Sequence, residues 1–111
     1  MRVYIAGPYT NGDIAENIRR IIEVAERVVE AGHIPFVPHL FHLWHLMSPH
    51  KYEYWMALDQ SWMGACDAFI ALDLGEDAWG DSQGTQEDVN MADQLGIEVY
   101  SVEEFFKFVS S

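Results

Sequence analysis

DQSWMGACDAFIAL, residues 59–72, is the stretch that decides the fold, because a helical pattern changes here directly into a strand pattern. AFIAL, residues 68–72, is a continuous apolar run of the kind that is buried on both faces of a parallel sheet. Apolar residues before it recur at helical spacing, which predicts a helix over residues 51–65. A helix that leads into a doubly buried strand is typical of a parallel α/β sheet.

The same alternation of strand and helix continues on both sides of this stretch. Three further β-prone runs predict strands, namely VYIA (3–6), IPFV (34–37) and a last core strand, IEVY (97–100). Prolines at 35 and 38 suggest that the second strand lies at an edge. Because the strands alternate with helices, we expect right-handed crossovers and helices on both faces. The predicted fold class is α/β, a flavodoxin-like or Rossmann-like domain with a four- to five-stranded parallel sheet.

Local signals set the predicted ends of the helices. Asp13 and Glu16 form a capping pair before the first helix, and Gly32 ends it in the left-handed conformation. Gly96 ends a helix that runs through residues 89–95, and Ser101 caps a short terminal helix.

Composition limits the number of domains and the class of partner. The 111 residues, half of them apolar, predict one domain over residues 1–111. A formal net charge of −12 argues against a nucleic acid polymer or an anionic membrane as partner. The one cysteine, Cys66, cannot form an internal disulfide and is expected to pack. With no signal peptide pattern at the start, we expect a cytoplasmic protein.

Carboxylates on two segments are the candidate chemical groups. Asp59 lies within the predicted helix, and Glu87 and Asp88 lie in DSQGTQED, residues 81–88, after the apolar strand. Ligands of open α/β sheets bind beyond the carboxyl ends of the strands, where such groups can meet on one small molecule. Burial would raise the pKa of Asp59, as a glycosidic acid requires. The alternative is that Asp59 lies at the polar edge of its helix and contacts solvent.

The start of the helix after the apolar strand is a candidate anion site. Backbone amides near Gly84 and Thr85, together with the helix dipole, favour a negative charge, and Ser82 adds a hydroxyl group. The same residues also suit an ordinary N-terminal cap with no function.

Histidines and aromatic residues crowd the segment after the second strand. His39, His42 and His45 recur every three residues, which could place imidazoles on one face for a metal, but no cysteine or carboxylate completes a ligand set. We therefore expect no metal, and predict that these rings, with Trp55, line a pocket or a subunit contact. The aromatic content of residues 40–63 exceeds what one helix can bury, which predicts a homodimer or larger homo-oligomer.

Four stretches together resemble the nucleoside 2-deoxyribosyltransferase-like superfamily, and within it a group of small bacterial and archaeal proteins. They are VYIAGP, GHIPFVPHL, DQSWMGACDAFIAL and SQGTQEDVNMA, so the resemblance covers the chain from Val3 to Tyr100. Members cleave the N-glycosidic bond of a deoxynucleoside or nucleoside monophosphate through a carboxylate that attacks the anomeric carbon. The resemblance implies a nucleoside or nucleotide as substrate, no cofactor, and neighbouring subunits that help to close the site.

Individual residues match the motifs of this superfamily. The acid or base for the leaving nucleobase falls on Asp59, and Tyr4 matches a tyrosine that orients the nucleophile. The nucleophilic glutamate falls on Asp88, one methylene shorter, with Glu87 just before it. Either the shorter acid still reaches, Glu87 replaces it through a register shift, or catalysis has been lost.

Phosphate recognition is a second point of comparison. Ser82 matches a serine that holds the 5′-phosphate in monophosphate hydrolases, whereas the first loop, with Gly7 and Pro8, lacks the arginine of those enzymes. Amides near Gly7 and Gly84 would contact the sugar or phosphate.

Three functions remain open at this stage. The leading one is an N-glycosidase or deoxyribosyltransferase-like enzyme, the second is a nucleotide-binding or sensing module without turnover, and the last is a metal-dependent hydrolase built on the histidine segment.

Overall fold

A computed structural model of the chain describes residues 1–7, 13–72 and 83–110, with the backbone alone for residues 83–86. Within these ranges four parallel strands form one sheet in the order β2-β1-β3-β4. The strands are β1 (Arg2–Ala6), β2 (Ile34–Phe36), β3 (Ala68–Ala71) and β4 (Glu98–Tyr100). The structure confirms the α/β class with a four-stranded parallel sheet.

Five α-helices and one 3-10 turn connect and flank the strands in the same ranges. They are α1 (Ile14–Glu30), the 3-10 turn Pro38–Leu40, α2 (Phe41–Met47), α3 (Tyr52–Met63), α4 (Gln83–Gln94) and α5 (Val102–Val109). None of these helices is long and apolar enough to cross a lipid bilayer.

The alternation of side chains along β1 divides the core between two faces of the sheet. Val3 and Ile5 pack against α1 and α5, in a cluster that includes Ile21, Val28 and Phe105. On the opposite face, Tyr4 and Ala6 pack with Phe69, Met63 of α3 and Ala92 of α4. The helices therefore cover both faces, and α3 and α4 share the face on which Tyr4 lies.

The predicted helix ends are confirmed where a local signal sets them. The Asp13 side chain accepts a hydrogen bond from the Glu16 amide, and that of Ser101 accepts one from the Glu104 amide. Gly32 has a φ of +87°, in the left-handed region that glycine favours. The Glu16 carboxylate, however, is bound to the Arg19 side chain, because the guanidinium one turn on offers a charged partner.

One expectation about the elements was wrong. IEVY is an edge strand rather than a core strand, because β4 pairs only with β3 among the described strands. Residues 41–47 form helix α2, although their alternating histidines and apolar residues show no clear helical period. On α3 it is Met63 that is fully buried, whereas Trp62 is half-exposed and stacks on Phe36.

Candidate active site

Tyr4 is the centre of the candidate site. Its ring lies in the middle of the sheet between Phe36 and Phe69, at centroid distances of 5.4 Å and 5.2 Å. Its hydroxyl group donates a hydrogen bond of 3.2 Å to Oδ2 of Asp88 on α4. The pKa of the phenol is raised, chiefly by burial and then by the charges of Asp88 and Asp59, so Tyr4 stays protonated and can only donate to a carboxylate.

Asp88 is a buried carboxyl group, with 8% of its surface exposed. Its pKa is raised to about 7: burial raises it most, the hydrogen bond from Tyr4 lowers it by favouring the ionised form, and the charge of Glu87 raises it. A carboxyl group in this state can exchange between a nucleophilic anion and a neutral acid near neutral pH.

Asp59 faces the same space from α3 and is only partly exposed. Its pKa is raised to about 7, first by burial and second by the negative charge of Asp88. Oδ1 of Asp59 and Oδ1 of Asp88 are both buried and have no hydrogen-bond partner among the described residues. The two groups therefore form a pair in which ionisation of Asp88 favours the neutral form of Asp59.

Glu87, the other candidate carboxylate on α4, does not join this pair. Its Oε2 accepts a hydrogen bond of 2.6 Å from the hydroxyl group of Tyr52 on α3. The bond lies beside a groove of about 400 Å³ between the two helices. The residues that line the groove are Tyr52, Glu53, Met56, Ala57, Gln60 and Glu87.

Gly7 and His39 are joined at the end of β1. His39 Nε2 lies 2.9 Å from the Gly7 carbonyl oxygen, which can only accept, so Nε2 carries the proton of this hydrogen bond. Burial lowers the pKa of His39, which favours the neutral ring. A Cβ atom at Gly7 would lie 3.1 Å from Cβ of Leu72, so the glycine permits close packing of β1 against the end of β3.

Trp55 belongs to an aromatic cluster around α2 and the start of α3. Its Nε1 donates a hydrogen bond of 2.8 Å to Nδ1 of His45, and its ring stacks on Phe41. Rings also in the cluster are Trp44, His50 and Tyr54. His42 is half-buried on α2. In the part of the chain described, no three or more His, Cys, Asp or Glu residues are grouped as a metal site.

The structure describes some of the predicted binding residues of the two loops and not others. Pro8 and Ser82 lie outside the described residues. Helix α4 begins at Gln83, so Gly84 and Thr85 lie in its first turn. The predicted anion site needs backbone amides at such a helix start.

Sequence reasoning did not identify Tyr52 as part of this region. A signal was present, since Tyr52 and Asp59 are seven residues apart and therefore lie on one face of α3, about two turns from each other. Its partner on α4 could not be read from spacing, because the two residues meet only through tertiary packing.

Asp67, by contrast, has a structural role. Its Oδ2 accepts a 2.8 Å hydrogen bond from the Arg2 amide, which ties the start of β3 to the start of β1. Asp67 thus anchors the connection between α3 and β3.

Comparisons with known proteins support the fold and leave the chemistry open. The profile of one protein family, DUF7768, described as a domain of unknown function, matches residues 1–102. A solved structure of a 2-deoxyribosyltransferase from the psychrotolerant bacterium Bacillus psychrosaccharolyticus aligns with a TM-score of 0.66. The alignment has 18% identity and covers 91% of this chain and 71% of that chain. No curated protein matches the sequence. The arrangement is thus a 2-deoxyribosyltransferase-like fold with one buried carboxyl group, Asp88, a half-buried one, Asp59, and a tyrosine at its centre.

Proposed function

Because the chain belongs to the DUF7768 family, a domain of unknown function, we propose its activity from the site itself. The protein cleaves or transfers the N-glycosidic bond of a nucleoside, a deoxynucleoside or their 5′-monophosphates. One observation carries this proposal: Asp59 and Asp88 each have a buried carboxyl oxygen, on α3 and α4, and Tyr4 is hydrogen-bonded to Asp88. Their environments differ, which is how a site assigns an acid and a base to two carboxyl groups.

Tyr4 decides which carboxyl group is ionised. Its hydrogen bond favours the anion of Asp88, and the charge of that anion favours the neutral form of Asp59. Near pH 7 the pair therefore holds about one proton, mainly on Asp59. Asp88 is then the nucleophile, and Asp59 is the acid.

The first step breaks the bond between the anomeric carbon and the nitrogen of the base. The electron pair of that bond passes to the nitrogen, which takes the proton of Asp59, while an Asp88 oxygen captures or stabilises the oxocarbenium-like sugar. In the second step a water molecule, or the nitrogen of another base, attacks the anomeric carbon. Asp59 takes the proton from this attacking group, and Asp88 is released as a carboxylate. These steps need no cofactor.

Further residues contribute to substrate binding in this proposal. His39, His42 and Trp55 contact the base, and backbone groups of Gly7 and Pro8 contact the sugar. A 5′-phosphate is held by amides at the start of α4, near Gly84 and Thr85, with the Ser82 hydroxyl group. Since α4 begins at Gln83, its first amides are directed away from the helix and suit an anion.

We also propose that two copies of the chain associate through α2 and the turn before it. Leu43, Leu46 and Met47 expose 66%, 61% and 86% of their surfaces. Residues 31–50 contain no Lys, Arg, Asp or Glu in a chain of net charge −12, so two such faces can meet without charge repulsion. Light scattering should give at least twice the 12.7 kDa chain mass, and Leu43→Glu should reduce it. A monomeric native protein would contradict the association and leave the chemistry intact.

The chemistry is tested by base release from a panel of ribo- and deoxyribonucleosides and their 5′-monophosphates. Release should be lost in both Asp59→Ala and Asp88→Ala and retained in Asp93→Ala, an exposed carboxylate also on α4. Adding a second free base separates transfer from hydrolysis. Absence of release from every compound would refute the proposal.

A nucleotide-binding or sensing module is the second candidate. The observation that favours it is the length of Asp88, which is one methylene shorter than the glutamate of the superfamily that the sequence resembles. Asp88→Glu discriminates between the two functions. If the rate of an enzyme is limited by how far the Asp88 carboxylate reaches toward the anomeric carbon, the longer acid should raise base release. It should change nothing in a module that only binds.

A further inference from the structure

Tyr52 and Glu87 form a hydrogen bond that the proposed mechanism does not use. The Tyr52 hydroxyl group donates to Glu87 Oε2 over 2.6 Å. This short distance is typical of a hydroxyl donor bound to a carboxylate anion. The bond joins the first turn of α3 to the first half of α4, at the groove between these helices.

Adjacent positions on α4 are held from two different elements. Glu87 and Asp88 point about 100° apart around the helix axis. Tyr4 of β1 binds Asp88, and Tyr52 of α3 binds Glu87. Two anchors in different directions fix the rotation of the helix, which neither bond could do alone.

The anchor on α3 is on the same helix face as Asp59. Tyr52 precedes Asp59 by seven residues, about two helical turns. Holding α4 at Tyr52 therefore also sets the approach of Asp88 to Asp59.

We propose that Tyr52 is a positioning residue, which acts through Glu87 to hold Asp88 toward Asp59 and to keep the Glu87 charge beside Asp88. This inference rests on the proposed function for its catalytic meaning, although its geometry can be tested without turnover.

The groups that face Asp88 come from three elements. Tyr4 faces it from β1, Asp59 faces it from α3, and Glu87 is its neighbour on α4. Among these, only the position of Glu87 depends on Tyr52. In Tyr52→Phe the Glu87 carboxylate loses the hydrogen bond that holds it at α3, and its charge then raises the pKa of Asp88 less.

The test is a carboxyl-carbon NMR titration of aspartate-labelled protein, with Asp88 assigned by the Asp88→Asn variant. Tyr52→Phe should lower the pKa of Asp88 by about half a pH unit, and Glu87→Gln should lower it by at least as much. The double variant should have the same Asp88 pKa as Glu87→Gln alone, because both substitutions remove the same effect, that of the Glu87 charge on Asp88. Tyr54→Phe is the matched control, since this exposed tyrosine of α3 stacks on His50. An Asp88 titration that Tyr52→Phe leaves unchanged, or additive single variants, would overturn the inference.

Kinetics supply the catalytic half of the test. Tyr52→Phe should lower kcat severalfold with little change in KM, and move the acidic limb of the pH profile to lower pH. If the native protein releases no base while the NMR shifts occur, the proposed function fails and the positioning role stands. If the native protein releases base but Tyr52→Phe causes no NMR shift, the proposed function stands and the positioning role fails.

Discussion

Oη of Tyr4 donates a 3.2 Å hydrogen bond to Oδ2 of Asp88, although 84 residues separate the two in the chain. The bond crosses from the central strand β1 to α4 and is buried. It gives Asp88 a donor, whereas the buried Oδ1 of Asp59 has no hydrogen-bond partner in the part of the chain that the structure describes. One phenol therefore separates the roles of two carboxyl groups that otherwise share a raised pKa.

Removing this phenol should raise the pKa of Asp88. In Tyr4→Phe the ionised form loses its hydrogen bond, so the acidic limb of the kcat/KM profile moves to higher pH. We expect activity at pH 7 to fall about tenfold or more, because a hydrogen bond to a charged group is worth about 1.5 to 3 kcal/mol. Tyr100→Phe, on edge strand β4, is the control and should retain activity. A Tyr4→Phe profile identical to that of the native protein would contradict the assigned role.

Replacing Asp59 should remove the alkaline limb of the pH profile of kcat/KM. The acid must be protonated, and with its pKa near 7 the rate should decline above that pH. Asp59→Asn cannot donate the proton, so the remaining rate should be low and should no longer fall at alkaline pH. A substrate whose base leaves without protonation should be affected less than a natural nucleoside. Equal losses on both substrates would argue against the acid role.

Local signals in the sequence predicted most of the fold. Caps at Asp13 and Ser101, the glycine at position 32 and the apolar run 68–72 depend on neighbouring residues only, and the structure agrees with each. The edge position of β4 depends instead on the order in which strands pair. Composition cannot reveal that order.

The sequence also predicted part of the candidate site, namely the part that follows from the order of strands and helices. Topology places the ends of neighbouring strands and helices together, so Asp59 and Asp88 could be expected to share one side of the sheet. The bond between Tyr52 and Glu87 could not be foreseen, because it depends on side-chain directions across two packed helices. Helix α2 was missed because packing of its aromatic rings, rather than a helical period, accompanies its formation.

Gly7 should be intolerant of even a methyl group. In Gly7→Ala the new Cβ would lie 3.1 Å from Cβ of Leu72, an atom next to the backbone that cannot rotate away. We expect the free energy of unfolding to fall by about 1 to 3 kcal/mol, as in other overpacked cores. Gly64→Ala is the matched control, because its φ of −60° suits alanine and the nearest atom is 3.6 Å away. Urea unfolding should show equal or higher stability for that control, and two equally destabilised variants would refute the packing argument.

Burial of Asp88 should make the protein less stable as pH rises. The pKa of this group is about 7 in the folded chain and near 4 when unfolded, so between these values the folded state binds more protons. The free energy of unfolding then falls from about pH 4 to pH 7, because ionisation is easier in the unfolded chain.

Asp88→Asn cannot ionise and can still accept from Tyr4, so its stability should exceed that of the native protein at pH 8. The advantage should be on the order of 4 kcal/mol at pH 8 and should vanish near pH 4, since the two pKa values differ by about three pH units and one unit is worth about 1.4 kcal/mol. Asp93→Asn, exposed on the same helix, should follow the native curve in urea unfolding at both values. Parallel curves for Asp88→Asn and the native protein would mean that Asp88 is ionised as readily in the fold as in water, and the acid and nucleophile assignments would lose their physical basis.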